Sequence, residues 1–458
     1  MNNSFEQLNL HKDIVDNLKT LGYENMTPIQ AKALPLALED KDIIAQAKTG
    51  SGKTVAFSLG ILNKLDVKRF RIQAMILTPT RELATQVATE LKKLARFTHN
   101  IKITVLCGGM PYKPQVHSLS HQAHIVVGTP GRVLKHLKEN SFDPKDINTL
   151  VLDEADRMLD MGFYDDINEI IDFLPKQRQT LLFSATYPQN IEQLANNIMK
   201  NPVKIKIDID HEKNSIKQKF YEVSKDDKID IILNSFSNFK PQSAIIFCNT
   251  KIACDELADE LEDEGIEPLV LHSDLDQKQR DETLILFASK SYPVLIATDV
   301  ASRGLDIDDI DLVINYDLPF DFQVYTHRIG RTARAGKQGN AVSLVDETQF
   351  ELFDDLKEQI NDEFILEEFE FKESDLKYKM ESPWQVLFIN GGKKNKMRAG
   401  DILGALTAGI GLQKDEVGKI HILEYCSYVA IKRSLAQEVK NKLTNSKIKG
   451  KYYRVFLK

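Results

Sequence analysis

Residues 47–54 read Ala47-Lys48-Thr49-Gly50-Ser51-Gly52-Lys53-Thr54. They follow a short apolar run, Asp42–Gln46, which reads as a strand, and they open an apolar helical stretch. Glycines let backbone N–H groups turn inward around phosphate oxygens, and a helix N-terminus adds positive potential. In this pattern Lys53 is predicted to reach the β- and γ-phosphates of a nucleotide, and Thr54 to ligate magnesium. The first position is Ala47 rather than glycine, so the stretch is a variant of the phosphate-binding loop. Taken alone, it also reads as an ordinary glycine-containing turn.

The second half of a phosphoryl-transfer site lies a hundred residues on. Leu150-Val151-Leu152 runs into Asp153-Glu154-Ala155-Asp156. Ligands of α/β sheets sit at the C-terminal ends of strands, where this acidic group falls. Asp153 suits Mg²⁺, and Glu154 suits orienting or deprotonating an attacking water. Two carboxylates after a strand also serve as a plain helix cap, but the loop at 47–54 favours the chemical reading.

Working outward, short apolar runs alternate with longer amphipathic ones. Asp42–Gln46, Ala74–Pro79, Ile103–Cys107, His124–Gly128, Leu150–Leu152 and Thr180–Phe183 are each bounded by Gly, Pro, Thr or charge. Buried parallel strands joined by helices give this pattern. It recurs at Ala244–Cys248, Leu269–His272, Val294–Ala297, Leu312–Asn315 and Ala341–Val345. Two similar α/β domains in tandem are therefore predicted, over 1–207 and 216–375, with polar residues 208–215 as linker. The acidic stretch 346–375 keeps helical apolar spacing and is expected to close the second domain.

Beyond Pro383 the composition changes. Residues 384–458 carry a net charge of +10, and the rest of the chain −17. A basic end on an acidic chain suits a polyanion, and equally a solvated basic surface. Its predicted order is strand, helix, strand, strand, helix, strand. That is a small α+β domain over 383–458, of a kind shared by RNA-recognition folds and unrelated ferredoxin-like domains. The whole chain has 458 residues, 42% of them hydrophobic, which suits two or three globular domains at roughly 150 residues each. No run approaches the roughly 18 apolar residues of a membrane span. The N-terminus has no basic region or apolar core, so no signal peptide is expected. Cys107, Cys248, Cys254 and Cys426 lack paired metal spacing and read as reduced thiols of a cytoplasmic protein.

Phosphoryl transfer also needs positive charge beyond the γ-phosphate. The second domain offers Arg328, Arg331 and Arg334 in His327-Arg328-Ile329-Gly330-Arg331-Thr332-Ala333-Arg334. Such a cluster often only forms surface ion pairs. A second sheet without a phosphate loop of its own makes an arginine finger the better reading.

Together these motifs resemble the DEAD-box RNA helicases, over roughly residues 5–370. The resemblance implies two RecA-like domains and an RNA-stimulated ATP hydrolase. It implies that Phe5 stacks on adenine and that Gln30, within Thr27-Pro28-Ile29-Gln30, reads the base edge. It assigns RNA contacts to Pro79, Thr80 and Arg81, to Gly108 and Gly109, to Thr129, Pro130, Gly131 and Arg132, and in the second domain to Arg280 and Thr298. Ser184 and Thr186, in Ser184-Ala185-Thr186, would couple hydrolysis to unwinding. Asp306 would meet the nucleotide, and Arg331 and Arg334 fall on the finger positions. Ala333 departs from the pattern, since most of the family has glycine there. The Pro-Thr-Arg and Thr-Pro-Gly-Arg turns supply donors for sugar-phosphate oxygens, which carry no sequence information.

The last 75 residues are similar to the DbpA-like branch, whose C-terminal domain is directed at 23S ribosomal RNA. The matching segment runs from Leu387-Phe388-Ile389 through Lys393, Lys394, Lys396 and Arg398 to Asp401-Ile402. The base-stacking positions are only partly filled: Phe388 and Tyr428 fit, while Cys426 stands where another aromatic is usual. Tyr428 and the four basic residues are expected to bind RNA, the latter through phosphates. The sequence thus predicts a monomeric, cytoplasmic, ATP- and Mg²⁺-dependent RNA helicase acting in large-subunit assembly. The alternatives are a DNA-directed motor of the same superfamily and an RNA clamp that hydrolyses ATP without unwinding. The adenine-reading element and compact core argue against the first, and the full set of hydrolytic residues against the second.

Overall fold

The computed structural model describes residues 3–47, 50–98, 100–207, 216–224, 227–299, 310–333, 338–360, 364–369 and 380–458. Lys48, Thr49, Asp306, Arg334 and the expected linker 208–215 lie outside the described residues. The chain forms two compact units that divide between Asp210 and His211, and the C-terminal domain groups with the second unit.

The first unit is built on β1 (Ile43–Gln46), β2 (Ala74–Leu77), β3 (Ile103–Leu106), β4 (Ile125–Gly128), β5 (Thr149–Asp153), β6 (Gln179–Ser184) and β7 (Val203–Lys206). These strands are parallel, in the order β3-β4-β2-β5-β6-β1-β7. Helices cover both faces, so β2, β4, β5 and β6 are buried along their whole length. That explains why they read as unbroken apolar runs rather than alternating ones. The sequence missed β7, whose pattern of Val203, Lys204, Ile205 and Lys206 buries only Ile205. It is an edge strand, recruited by β1.

The second unit repeats the design with β8 (Ile216–Glu222), β9 (Ala244–Cys248), β10 (Leu269–Leu271), β11 (Val294–Thr298), β12 (Leu312–Asn315), β13 (Gly339–Val345) and β14 (Leu366–Glu368), all parallel, in the order β10-β11-β9-β12-β13-β8-β14. The sequence did not yield β8 or β14. Polar residues dominate β8, and Phe220 alone is fully buried in it. The helix Phe350–Ile360 lies in the acidic stretch as expected, and β14 follows it.

The C-terminal domain has β15 (Trp384–Ile389), β16 (Val417–Ile422), β17 (Ser427–Lys432) and β18 (Val455–Leu457) in an antiparallel sheet ordered β16-β17-β15-β18. Its first helix, Ala399–Gly404, continues into a wider π-type turn over Ala405–Ile410. Strand alternation splits β15 and β17 cleanly. Leu387, Ile389, Val429 and Ile431 point to the domain's own helices, where they join Ile402, Leu406, Val439 and Leu443. Val386, Phe388, Tyr428 and Ala430 occupy the opposite face.

Candidate active site and nucleic-acid interface

The strand order of the first sheet divides its C-terminal edge in two. On one side β5, β6 and β1 are neighbours, so their ends stand side by side. Gln46 pairs with Ser184, Asp153 with Phe183, and the Ala47 N–H donates to the Ser184 carbonyl at 3.0 Å. The loop at 47–54, the acidic group and the Ser-Ala-Thr element thus meet through simple strand pairing.

Gly52 caps the helix Lys53–Lys64 with φ of 96°. A side chain there would be strained, and its Cβ would come 2.4 Å from Gln30 Nε2. The close approach serves a bond: Gln30 Nε2 donates to the Gly52 carbonyl at 3.1 Å, while Gln30 Oε1 accepts from the Thr27 N–H at 2.9 Å. The expected base reader therefore holds the phosphate loop directly. Phe5, expected to stack on adenine, is buried in the first core with Ile14, Leu18 and Met26. Its segment reaches the start of the helix that carries Gln30, Pro28–Leu38, because the Met26 N–H donates to the Asn3 carbonyl at 2.7 Å.

Lys53 is buried and donates to the Ala47 carbonyl at 2.9 Å. Asp153 is 3% exposed, and its Oδ1 has no partner among the described residues. Burial pushes its carboxyl up to about 6, against the pull of Lys53. An orphaned, buried carboxylate oxygen facing a lysine fits a divalent cation. No cluster of three His, Cys, Asp or Glu groups that could hold a metal occurs among the described residues. One carboxylate with substrate phosphates and water is the usual manner of holding Mg²⁺.

Glu154 is buried with left-handed backbone, φ 54°. Its carboxylate accepts from Arg157 Nη1 at 3.0 Å, inside the protein. Arg157 was not singled out from sequence, though its spacing of three on a helix start was a usable signal. Asp156 binds the coupling element: its Oδ2 accepts from the N–H groups of Ala185 (3.0 Å) and Thr186 (2.9 Å) and from Thr186 Oγ1 (2.9 Å). Ser184 Oγ accepts from the Asp156 N–H at 3.3 Å. Burial pushes the Asp156 carboxyl up, yet Lys53 and these donors prevail and hold it below the usual range.

The other half of the edge belongs to β2, β4 and β3. Thr80 caps the helix Arg81–Leu94, and its side chain accepts from the Leu83 N–H at 3.2 Å. Gly109, with φ of 65°, lies under the Arg81 guanidinium, where a Cβ would stand 2.2 Å from Nη1. Thr129 and Pro130 start the helix Pro130–Lys138, and Arg132 Nη1 donates to the Met110 carbonyl at 3.0 Å. Three segments far apart in sequence converge here.

In the second unit Thr298 ends β11, and Arg280 lies in the first turn of the helix Gln277–Ala288. Arg331 follows the helix Phe322–Ile329. Arg328 has a different task. It is fully buried and donates to Asp299 Oδ1 (2.7 Å) and Oδ2 (2.6 Å), the Asp317 carbonyl (2.6 Å) and Asn249 Oδ1 (2.8 Å). It locks the helix to the sheet, and its guanidinium is committed to these partners.

In the C-terminal domain Lys393, Lys394, Lys396 and Arg398 are all exposed. Their loop is fixed by bonds from the Lys393 and Lys394 N–H groups to the carbonyls of Leu423 and Glu424, both at 2.9 Å. Tyr428 is 2% exposed and lies inside a cluster, not on an open face.

Residues 27–194 match the DEAD/DEAH box helicase family, 224–336 the helicase conserved C-terminal domain, and 386–456 the DbpA RNA binding domain. The chain belongs to the DEAD-box ATP-dependent RNA helicases, in the DbpA branch. It is 47% identical to the ATP-dependent RNA helicase DbpA of Escherichia coli, over 96% of both chains. It is 37% identical to the protein of the same name from Bacillus subtilis, over 98% of both. Among solved structures, Saccharomyces cerevisiae Dbp5 bound to RNA and ADP BeF3 shares 33% identity, with a TM-score of 0.71 over 80% of this chain and 95% of that one. As in other DEAD-box helicases, a nucleotide is used. No helix among the described residues is long and apolar enough to cross a membrane.

Proposed function

We propose that this helicase opens short duplexes in 23S ribosomal RNA, or its precursors, while the large ribosomal subunit is assembled in the cytoplasm, acting as a monomer with ATP and Mg²⁺. The observation that carries the reading is the exposed basic loop Lys393–Arg398 on a domain of net charge +10. The rest of the chain has a net charge of −17.

On this reading Thr54 and Asp153 hold Mg²⁺, which would neutralise charge growing on the transferred phosphoryl group. Lys53 leaves the Ala47 carbonyl for the β- and γ-phosphates. Glu154 takes the proton of the attacking water, and Arg157 keeps its carboxylate in place. Hydrolysis further requires the second unit to deliver Arg331 and Arg334. Asp156 passes the change to Thr186. Thr80, Arg81, Gly109, Thr129 and Arg132 grip the sugar-phosphate backbone, which is blind to sequence. The basic loop supplies the address.

The test is ATP hydrolysis and duplex displacement by the full chain, with a 23S fragment or unrelated RNA of equal length. The fragment should stimulate at much lower concentration, with affinity falling steeply as salt rises. Reversing Lys393, Lys394 and Lys396 to Glu should remove the preference while excess unrelated RNA still supports hydrolysis. Equal stimulation by both RNAs would overturn the ribosomal assignment. Stimulation by DNA would favour the DNA motor, and hydrolysis without displacement the clamp.

A further inference from the structure

The loop Cys107–Met110 carries Gly108 and Gly109, two of the residues expected to touch RNA in the first domain. Gly109 and Met110 are exposed, and Gly109 has left-handed backbone with φ of 65°. Glycines have no side chain to fix them and lose much conformational freedom on ordering. A bond from outside holds each end of the loop. The Met110 carbonyl accepts from Arg132 Nη1 at 3.0 Å. The Cys107 carbonyl accepts from Gln115 Nε2, also at 3.0 Å. Gln115 is held in turn by His136, whose Nε2 lies 3.1 Å from Gln115 Oε1. Both side chains are buried, His136 completely.

The chemistry fixes the direction of each bond. A carbonyl only accepts, so Gln115 turns its N–H to Cys107 and its oxygen to His136. His136 Nε2 then carries the ring proton. Nδ1 has no partner among the described residues, and burial keeps the ring from charging near neutral pH. Tyr112 stacks on the ring at 4.4 Å and sets its plane. Arg132 and His136 stand one turn apart on the helix Pro130–Lys138, so they share a face of it. One helix face therefore clips both ends of the glycine loop, at Met110 directly and at Cys107 through Gln115.

We infer that Gln115 and His136 are positioning residues for the RNA grip of the first domain, holding the Gly108-Gly109 loop in shape and tying it to the helix that opens at Thr129-Pro130-Gly131-Arg132. Neither is placed to touch nucleic acid, since both are buried. A loop that is already ordered gives up less freedom when RNA arrives. Arg132 is not lost to phosphate by its bond to Met110, because a guanidinium has five donors.

This role rests on the proposed grip of the loop on RNA, and two readouts separate them. Cys107 reports the clip. Its thiol is 1% exposed, and its alkylation by iodoacetamide, followed by peptide mass spectrometry, should be slow in the wild type. Gln115→Met keeps the side-chain length and removes both bonds. It should speed Cys107 labelling at least about fivefold, the mark of a local opening. ATP hydrolysis by the full chain, stimulated by oligouridylate, reports the grip. In Gln115→Met the half-saturating RNA concentration should rise about fivefold, as for one buried hydrogen bond. Turnover at saturating RNA, and ATP affinity without RNA, should hold within about twofold. His136 separates bonding from packing. His136→Phe keeps a ring on Tyr112 and removes the N–H, and should raise the half-saturating concentration about threefold. His136→Gln gives up the ring and restores a donor near the place of Nε2. It should lie within about twofold of the wild type.

Fast labelling of Cys107 in the wild type, or a wild-type rate in Gln115→Met, would overturn the clip. So would a wild-type RNA response in His136→Phe beside a weakened one in His136→Gln, because packing alone would then matter. Faster labelling with an unchanged half-saturating concentration in Gln115→Met would remove the pair from the RNA grip. Gly109→Val tests the grip itself. If it left the half-saturating concentration unchanged, the proposed grip would fail and the positioning role with it, while Cys107 labelling would still decide the clip.

Discussion

The two parallel sheets differ in chemistry and not in path. Counted from the start of each unit, both run third, fourth, second, fifth, sixth, first, seventh. In each, the helix after the first strand begins with a buried lysine, Lys53 in one and Lys228 in the other. Around Lys53 the loop holds Gly50 and Gly52, and the ammonium rests on the Ala47 carbonyl with no carboxylate bonded to it among the described residues. Around Lys228 there is no glycine between Glu222 and the helix. Its ammonium is enclosed by Asp346 at 2.9 Å, Asp317 at 3.5 Å and the Tyr316 carbonyl at 3.1 Å. Asp346 is partly buried, which alone would raise its carboxyl. Thr348 and Lys228 outweigh that and hold it below the usual range. The same topological position is the proposed phosphate site in one copy and a sealed ion cluster in the other. A fold offers a position, and a few side chains decide its use.

Five substitutions test that contrast. Glu154→Gln should lower ATP turnover by roughly a hundredfold or more, as for loss of a general base, with ATP affinity retained. Single-turnover hydrolysis and nucleotide titration check it, and near wild-type turnover would remove Glu154 from the chemistry. Lys228→Met should leave ATP affinity unchanged, in contrast to Lys53→Ala. It should destabilise the second unit by roughly 3–5 kcal/mol, since two carboxylates lose their buried partner. Both carboxylates are 18% exposed, so the lower end is expected. Urea unfolding followed by Trp384, the single tryptophan, reports this unit.

The units should also differ in acid. His136 is fully buried in the first unit, stacked on Tyr112 at 4.4 Å and bonded to Gln115 at 3.1 Å. Burial, with Arg132 and Lys135 nearby, pushes it down to about 4, against the opposing pull of Glu139. The unfolded chain binds this proton near pH 6.5, so stability is full above that and is lost as pH falls toward 4. As much as about 3 kcal/mol is at stake. His136→Asn should flatten the urea midpoint of the first unit, followed by circular dichroism, across that window. An unchanged slope would exclude His136 as the cause. The smallest effect is expected at Ala333, which has left-handed backbone with φ of 56°. Ala333→Gly should stabilise the second unit by about 1 kcal/mol, readable as a shift of the Trp384 transition.

Legibility followed burial. Strands covered on both faces, such as β5 and β9, were plain in the sequence because, apart from Thr149 and Asp153 at the ends of β5, every residue in them is apolar. Strands at or near the edges, β7, β8 and β14, were invisible because pairing and not side-chain burial holds them. The expected nucleotide site could be marked in the sequence because its motifs are local: a glycine loop, a pair of carboxylates, a Ser-Ala-Thr turn. Arg157 was not singled out, and Arg328 was grouped with the expected finger arginines, because the partners of both emerge only on folding.

By itself the sequence determined the tandem α/β design and the basic C-terminal domain, and it marked the residues expected to handle ATP. Short contiguous motifs bind phosphate with their own backbone and carry that meaning wherever they sit. Only the tertiary structure decided which buried lysine rests on a carbonyl and which is neutralised by carboxylates, because Lys228 meets Asp317 and Asp346 across gaps of 89 and 118 residues. It also decided that Tyr428 faces a helix instead of solvent. An aromatic residue on a strand has the same local pattern in both cases, and only the packing of one domain on another tells a joint from an open face.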